Sequence, residues 1–334
     1  MTVGKEIPRL SVRGLQVAFR AGKDWVTVVD DVSFSVQGSE VLGLVGESGS
    51  GKSLSCLAVM GLAGDSGARI RKGSIQLDGV ELVGLSEREL ENRRGNEIAM
   101  VFQEPMTSLN PAFTIGDQIG EVLRRHRSMP RKQARAAAIA VLDRVGIPDA
   151  TRRVGAYPFE FSGGMQQRAM IAMAIACEPS VLIADEATTA LDVTVQAQIL
   201  DLLRDMRAQL DMAIVFVTHN MGVVADICDR VAVMYAGQIV EEADVRTLFR
   251  NPRHPYTEGL LRCTPRLSGR ADRLPVIPGS TPLPAEFATG CRFGERCSYH
   301  SASCDEPVPL TLSHKDSQVR CVRSAELTLG GGVS

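Results

Sequence analysis

An α/β fold is predicted by three features of the 334-residue chain. Short β-branched apolar runs alternate with helical stretches, as buried strands and covering helices do in a mostly parallel sheet. The stretch "GESGSGKS" at 46–53 stands between a strand-like run and a helix-like one, and adjacent carboxylates close another apolar run at 185–186. With 44% hydrophobic and 23% charged residues, the chain can bury a sizeable core, and its length suits one large domain with an appendage, or two domains.

The elements follow in chain order. Strands are expected at "VLGLVG" (41–46), "EIAMVF" (97–102), "VLIADE" (181–186) and "AIVFVTH" (213–219). Between the second and third, "TIGDQIGEVLRRHRSMPRKQARAAAIAVL" (114–142) has helical spacing and Ala-rich propensity, which predicts an all-helical insertion at about 104–178. After residue 250 the composition changes: nine of 16 prolines and five of eight cysteines fall in the last 84 residues. Helices and central strands are improbable there. The reading divides the chain into a core over 1–250 and a Pro-rich extension over 251–334. A net charge of −2 gives no electrostatic footprint for nucleic acid. The start "MTVGKEIPRL" carries no apolar signal segment, and no apolar run approaches the ~20 residues that cross a bilayer, so a cytoplasmic location with reduced cysteines is expected.

Chemistry concentrates at strand ends. Gly46, Glu47, Ser48, Gly49, Ser50, Gly51, Lys52 and Ser53 fit the phosphate-binding pattern G-x-x-x-x-G-K-[ST], in the strand-to-helix setting it needs. Glycines let backbone N–H groups close on phosphates, the helix N-terminus adds positive potential, Lys52 reaches the β and γ oxygens, and Ser53 offers a hydroxyl to Mg²⁺. Asp185 ends its strand where a carboxylate can hold Mg²⁺, and Glu186 follows where one can orient or deprotonate water. Gln103 and His219 likewise follow apolar runs and are candidates to sense the metal or the γ-phosphate. A second turn, "FSGGMQQR" at 161–168, also has the glycines and serine of a phosphate cradle.

Taken in order, Gly46–Ser53, Gln103, "SGGMQQR", "VLIADE", "ALD" at 190–192 and "VTH" at 217–219 resemble the nucleotide-binding subunit of an ABC transporter over about residues 10–250. The resemblance implies a RecA-like core with an antiparallel β subdomain and a helical subdomain. It also implies a role for the second turn: Ser162, Gly163 and Gly164 would contact the ATP held by a partner subunit's phosphate loop, with Asp192 at the shared interface. "EPMTSLNP" (104–111), "YPFEFSGGMQQR" (157–168), "VMYAGQIVE" (233–241) and "NPRHPYTEGLL" (251–261) are similar to the oligopeptide, dipeptide and nickel permease ATPases. That narrower resemblance implies two transmembrane permease subunits, a related but non-identical second ATPase and an external solute-binding protein. It places the chain at the inner face of the cell membrane. Peptides lead as solute; nickel, glutathione and opines stay open, and a soluble ABC ATPase of DNA repair or translation is the rival class. Phe161 stands where Leu is usual before SGG, Ala187 where Pro follows the acid pair, and Asn220 where Asp follows the histidine. Phe19 is the candidate adenine-stacking residue, with Trp25 as alternative.

Four tail cysteines, Cys291, Cys297, Cys304 and Cys321, are spaced C-x5-C-x6-C-x16-C, which is neither a zinc-ribbon nor a simple ferredoxin pattern. Spacing leaves a metal site and unpaired thiols both open; the family resemblance implies a [4Fe–4S] cluster, with zinc or no metal as alternatives. His300 and His314 are candidate substitute ligands but read first as surface residues, and Cys56, Cys177, Cys228 and Cys263 as small core hydrophobes. "RRHR" with "RK" at 124–132 reads as a solvated helix face, and the surface around 103–125 as the expected permease contact.

Overall fold

The computed structural model describes residues 7–104, 108–188, 192–264, 276–314 and 317–331. In chain order its strands are β1 (Leu10–Ala21), β2 (Asp24–Val36), β3 (Val41–Val45), β4 (Ala68–Leu77), β5 (Val80–Glu81), β6 (Ile98–Val101), β7 (Val181–Asp185), β8 (Ala213–Thr218), β9 (Arg230–Tyr235), β10 (Gln238–Asp244), β11 (Thr311–His314) and β12 (Ser317–Val319). The chain divides into two compact units: residues 1–10, 36–40 and 77–215, and residues 11–35, 41–76 and 216–334.

In the second unit, β3 pairs parallel with β9, Leu42 opposite Arg230 through Val45 opposite Val233. All five residues of β3 are buried, as expected of a strand covered on both faces. The hairpin from β9 to β10 turns through Ala236 (φ 44°) and Gly237 (φ 82°), the two positive dihedrals that match the right-handed twist of the strands. A second layer holds β1, β2 and β4 in the order β2-β1-β4. Only Gly22 and Lys23 separate β1 from β2, a connection that permits antiparallel pairing alone.

In the first unit, β6 pairs parallel with β7, Ile98 opposite Val181 through Val101 opposite Ala184. Helices follow at Ile115–Arg127, Arg131–Arg144 and Gly163–Ile175. The first is capped by Thr114, whose side chain accepts from the Asp117 N–H at 3.1 Å, and it buries Ile115, Ile119 and Leu123 on one stripe. The second buries Ala134, Ala138 and Leu142 at the same i, i+4 spacing. Leu123 and Leu142 are 2% and 0% exposed, and each contributes roughly 2 kcal/mol by leaving water. A long helix, Val193–Leu210, starts at the Asp192 cap. Among the described residues no helix is long and apolar enough to cross a membrane.

The extension departs from the expectation that helices and central strands are improbable after residue 250. Residues Pro255–Arg262 form a helix, and β12 pairs with β10 on one side and β11 on the other. Pro255 takes the first helical position, where its missing N–H belongs to no intrahelical bond. The β12 strand "SQV" contains no proline at all. Cys263 also differs from its expected core placement: it is half-buried at the end of that helix, whereas Cys56, Cys177 and Cys228 are buried.

The docking of this helix buries two titratable groups. Glu241 of β10 accepts the N–H of Arg253 at 2.7 Å and of His254 at 2.9 Å, and the His254 ring is 1% exposed. Burial raises the Glu241 carboxyl to about 7, although the two backbone N–H groups oppose the rise. Burial also lowers His254 to about 3. A carboxyl raised from 4.5 contributes stability that is complete below pH 4.5 and is lost as pH rises through 7, on the order of 3 kcal/mol. His254 acts oppositely, losing its contribution as pH falls from 6.5 to about 3. Melting of Glu241→Gln and the parent across pH isolates the carboxyl. The gap in Tm should shift steadily in favour of Gln between pH 4.5 and 7; a gap constant with pH contradicts this burial.

Candidate active site

In the second unit, the 46–53 loop leaves β3 and turns into the helix Lys52–Val59. Gly46 (φ 156°) lies so close to β9 that a Cβ there would stand 2.1 Å from the Met234 carbonyl oxygen. Gly51 (φ 100°) would bring its Cβ 2.8 Å from Met234 Cε. At Gly46 the obstacle is backbone, and at Gly51 the positive φ strains any residue with a side chain, so both positions call for glycine. Ser50 O accepts the Gly237 N–H at 2.9 Å, which ties the loop's middle to the β9–β10 turn. Lys52 is 5% exposed, and its ammonium donates to Gly46 O at 2.8 Å, Glu47 O at 2.9 Å and Ser50 Oγ at 3.2 Å. Ser48, Gly49 and Ser53 are exposed. The unit thus presents a backbone-lined, lysine-tipped cradle at a helix N-terminus, which suits a polyphosphate.

His219 belongs to this unit, exposed one residue beyond β8. The next residue, Asn220, caps the helix Met221–Ile227 by accepting the Gly222 N–H at 2.9 Å. A cap needs only an acceptor oxygen, so Asn serves where Asp is usual. Phe19 and Trp25 are both half-buried, and Arg69 and Arg71 lie 5.5 and 5.2 Å from the Trp25 ring centre.

In the first unit, parallel pairing of β6 and β7 brings their ends side by side. Gln103, two residues past β6, and Glu186, one past β7, meet there: Gln103 Nε2 donates to Glu186 Oε2 at 2.9 Å. Glu186 has φ 48°, an uncommon conformation for a residue with a side chain and one that recurs at functional sites. The preceding Asp185 is 6% exposed and the following Ala187 2%. Ser162 caps the helix Gly163–Ile175, accepting from the Met165 N–H at 3.4 Å, and Asp192 caps Val193–Leu210, accepting from Val195 at 2.9 Å. A Cβ on Gly164 would stand 2.9 Å from Val195 Cγ1, so the two capped helix starts are neighbours. Ala190 and Leu191 of the "ALD" turn, and residues 105–107 of "EPMTSLNP", lie outside the described residues. For Mg²⁺ the donor types fit: the Ser53 hydroxyl, the Gln103 amide oxygen and the Asp185 carboxylate are hard oxygen ligands.

The four tail cysteines gather. Burial raises the Cys291 thiol to about 11 and pushes those of Cys297 and Cys321 upward as well, and neighbouring cysteines of the set add to each rise. Cys291 N–H also donates to Cys304 O at 2.8 Å. The donor chemistry suits a thiolate-bound cluster, yet among the described residues no three His, Cys, Asp or Glu side chains converge closely enough to hold a metal ion. His300 is partly exposed and contacts Asp305 at 3.0 Å; the side chain of His314 is not among those described.

Sequence reasoning missed the residues that grip Glu47. Its N–H donates to Tyr256 Oη at 2.8 Å, and its carboxylate is held by Arg296 and Thr281. The available signals were "HPYTEG", similar to the family string, and the arginine immediately before Cys297.

Comparison with known proteins gives concordant results. A family model described as ABC transporter matches residues 29–189, and one described as oligopeptide/dipeptide transporter, C-terminal region, matches residues 240–304. A Brucella melitensis protein named for peptide import and ATP binding is 52% identical over 332 residues, covering 96% of this chain and 98% of its own. A Brucella abortus protein named in the same way is 50% identical over 322 residues, covering 96% and 97%. Among solved structures, a dimeric bacterial ABC transporter cassette superposes with a TM-score of 0.62 at 26% identity, covering 71% of this chain and 99% of that one. A Clostridium perfringens protein that is part of an ABC transporter complex gives 0.62 at 25% identity, covering 73% and 91%.

Proposed function

Because the chain belongs to the ATP-binding subunits of ABC transporters, we propose that its ATP hydrolysis powers import of peptides through two membrane permease subunits. The observation that carries this reading is the pairing, in one chain, of the ABC transporter match with the oligopeptide/dipeptide C-terminal match. The subunit would sit at the inner face of the cell membrane, beside a second, related ATPase, and a binding protein outside would deliver the solute. Phe102 and Phe113, 38% and 55% exposed, lie at the edge of and within the expected permease contact, and such apolar exposure favours a partner there.

The nucleotide would lie on the 46–53 loop. Backbone N–H groups of Ser48 through Ser53 would receive the phosphates, and a γ-phosphate offers a charged acceptor within reach of the Lys52 ammonium. Phe19 would stack on adenine. Ser53, Gln103 and Asp185 would hold Mg²⁺, which supplies charge neutralisation when bound. Glu186 would take the proton from the attacking water, and His219 would contact the γ-phosphate. The 2.9 Å bond from Gln103 gives Glu186 a fixed aim, so hydrolysis would respond to movement of the residue that senses the metal. Ser162, Gly163, Gly164 and Asp192, at two neighbouring helix starts, would complete the site of the partner subunit.

The Cys291, Cys297, Cys304 and Cys321 thiols are the candidate ligands of a [4Fe–4S] cluster, which requires them to lose their protons and draw inwards from the arrangement described. Iron analysis after anaerobic purification tests this: about four irons per chain supports a cluster, and iron-free protein rejects it. For the hydrolytic reading, Glu186→Gln in the assembled transporter should slow steady-state hydrolysis by about 10²–10⁴-fold while MgATP binding persists. Turnover near the parent rate would remove Glu186 from the role of base.

A further inference from the structure

The phosphate loop is held from outside by the extension. Glu47, the second residue of "GESGSGKS", is gripped at two points by residues that follow 250. Its backbone N–H donates to the Oη of Tyr256 at 2.8 Å, a ring wholly buried beside Tyr235 and Phe293, with ring centres 4.6 and 5.4 Å away. Its carboxylate receives two parallel bonds from Arg296, Nη1 at 2.7 Å and Nη2 at 3.0 Å, and a third from Thr281 Oγ1 at 2.9 Å. Arg296 is itself fixed: its side chain is 7% exposed, its Nε donates to Pro278 O at 2.8 Å, and its guanidinium lies 5.6 and 5.8 Å from the Tyr235 and Phe293 ring centres.

We propose that Arg296 and Tyr256 are positioning residues for nucleotide binding: they hold residue 47 so that the loop is preformed, and Arg296 neutralises a carboxylate carried by the phosphate loop. This deepens the reading of 46–53 as the ATP site and rests on it. Two physical effects run in the same direction. A loop already ordered pays less conformational entropy when the phosphates arrive. A carboxylate left without its guanidinium would repel the polyanion, whereas the forked pair cancels that field at close range. Glu47 O is also one of the acceptors of the Lys52 ammonium, so the position of residue 47 bears directly on where the phosphate-binding lysine rests.

The test measures KM for MgATP and kcat of the assembled transporter, and Tm without nucleotide, in Arg296→Met, Arg296→Lys, Glu47→Gln, Tyr256→Phe and the Arg296→Met/Glu47→Gln pair. Arg296→Met should raise KM about tenfold with kcat within about twofold, the scale of one charge-assisted forked pair. Arg296→Lys should recover part of that, because charge returns without the fork. Adding Glu47→Gln to Arg296→Met should bring KM back towards the parent, since the unpaired carboxylate is gone. Tyr256→Phe keeps the ring and should raise KM about threefold, which tests the proposal even if Arg296→Met fails to fold. The proposal is overturned if KM stays at the parent value in both Arg296→Met and Tyr256→Phe, or if the Arg296→Met effect on KM is the same with Gln at position 47, which is what a purely structural role gives. Undiminished MgATP binding in Lys52→Ala would instead overturn the ATP-site reading and this proposal with it.

Discussion

The constraint on which the phosphate loop depends is the contact between Gly46 and the Met234 carbonyl. A single added methyl at residue 46 would lie 2.1 Å from that oxygen, a distance that no rotamer change relieves because the obstacle is backbone. The parallel pairing of β3 with β9 and the sharp exit of the loop from β3 therefore come as one arrangement. The β9–β10 turn continues it: Gly237 donates to Ser50 O, and its own carbonyl accepts the Asp30 N–H at 2.8 Å. Arg292 adds a bond to Ala236 O and an ion pair with Asp30. One short turn thus meets the phosphate loop, β2 and the extension.

The acid pair depends on an equally simple rule. Parallel strands in register end at the same level, so residues just past β6 and β7 must be neighbours. The left-handed backbone at Glu186 stores local strain that a buried Asp185 and Ala187 on either side can sustain. Ala187 lacks the ring that would fix this turn in many relatives by the family resemblance, yet its burial holds the position by packing.

Legibility in the sequence followed the range of each interaction. The 46–53 loop could be read because its determinants are local: glycines where the backbone needs them, a lysine and a serine at a helix start. Asp185 and Glu186 could be marked because an apolar run ends at them. The bond between Gln103 and Glu186 spans 83 positions, and only strand pairing brings the two together. The grip of Arg296 on Glu47 spans 249 positions and no local pattern announces it, since the patterned residues of that segment are the cysteines. The helix at Pro255–Arg262 is hidden in a proline-rich segment because proline breaks a helix interior but not its first position, where Pro255 falls. The four tail cysteines were legible as a set but not as a geometry, because spacings of six and more residues leave the chain free between them.

A transport role requires that ATP hydrolysis be coupled to solute. The most direct measurement is the ATPase rate of the purified transporter in lipid vesicles, with and without a peptide-loaded binding protein on the opposite side. Hydrolysis that rises with the loaded protein and not with the empty one is the predicted result. A rate unchanged by any peptide, or identical for this chain without its permease partners, would contradict the transport role while leaving the ATP site as described.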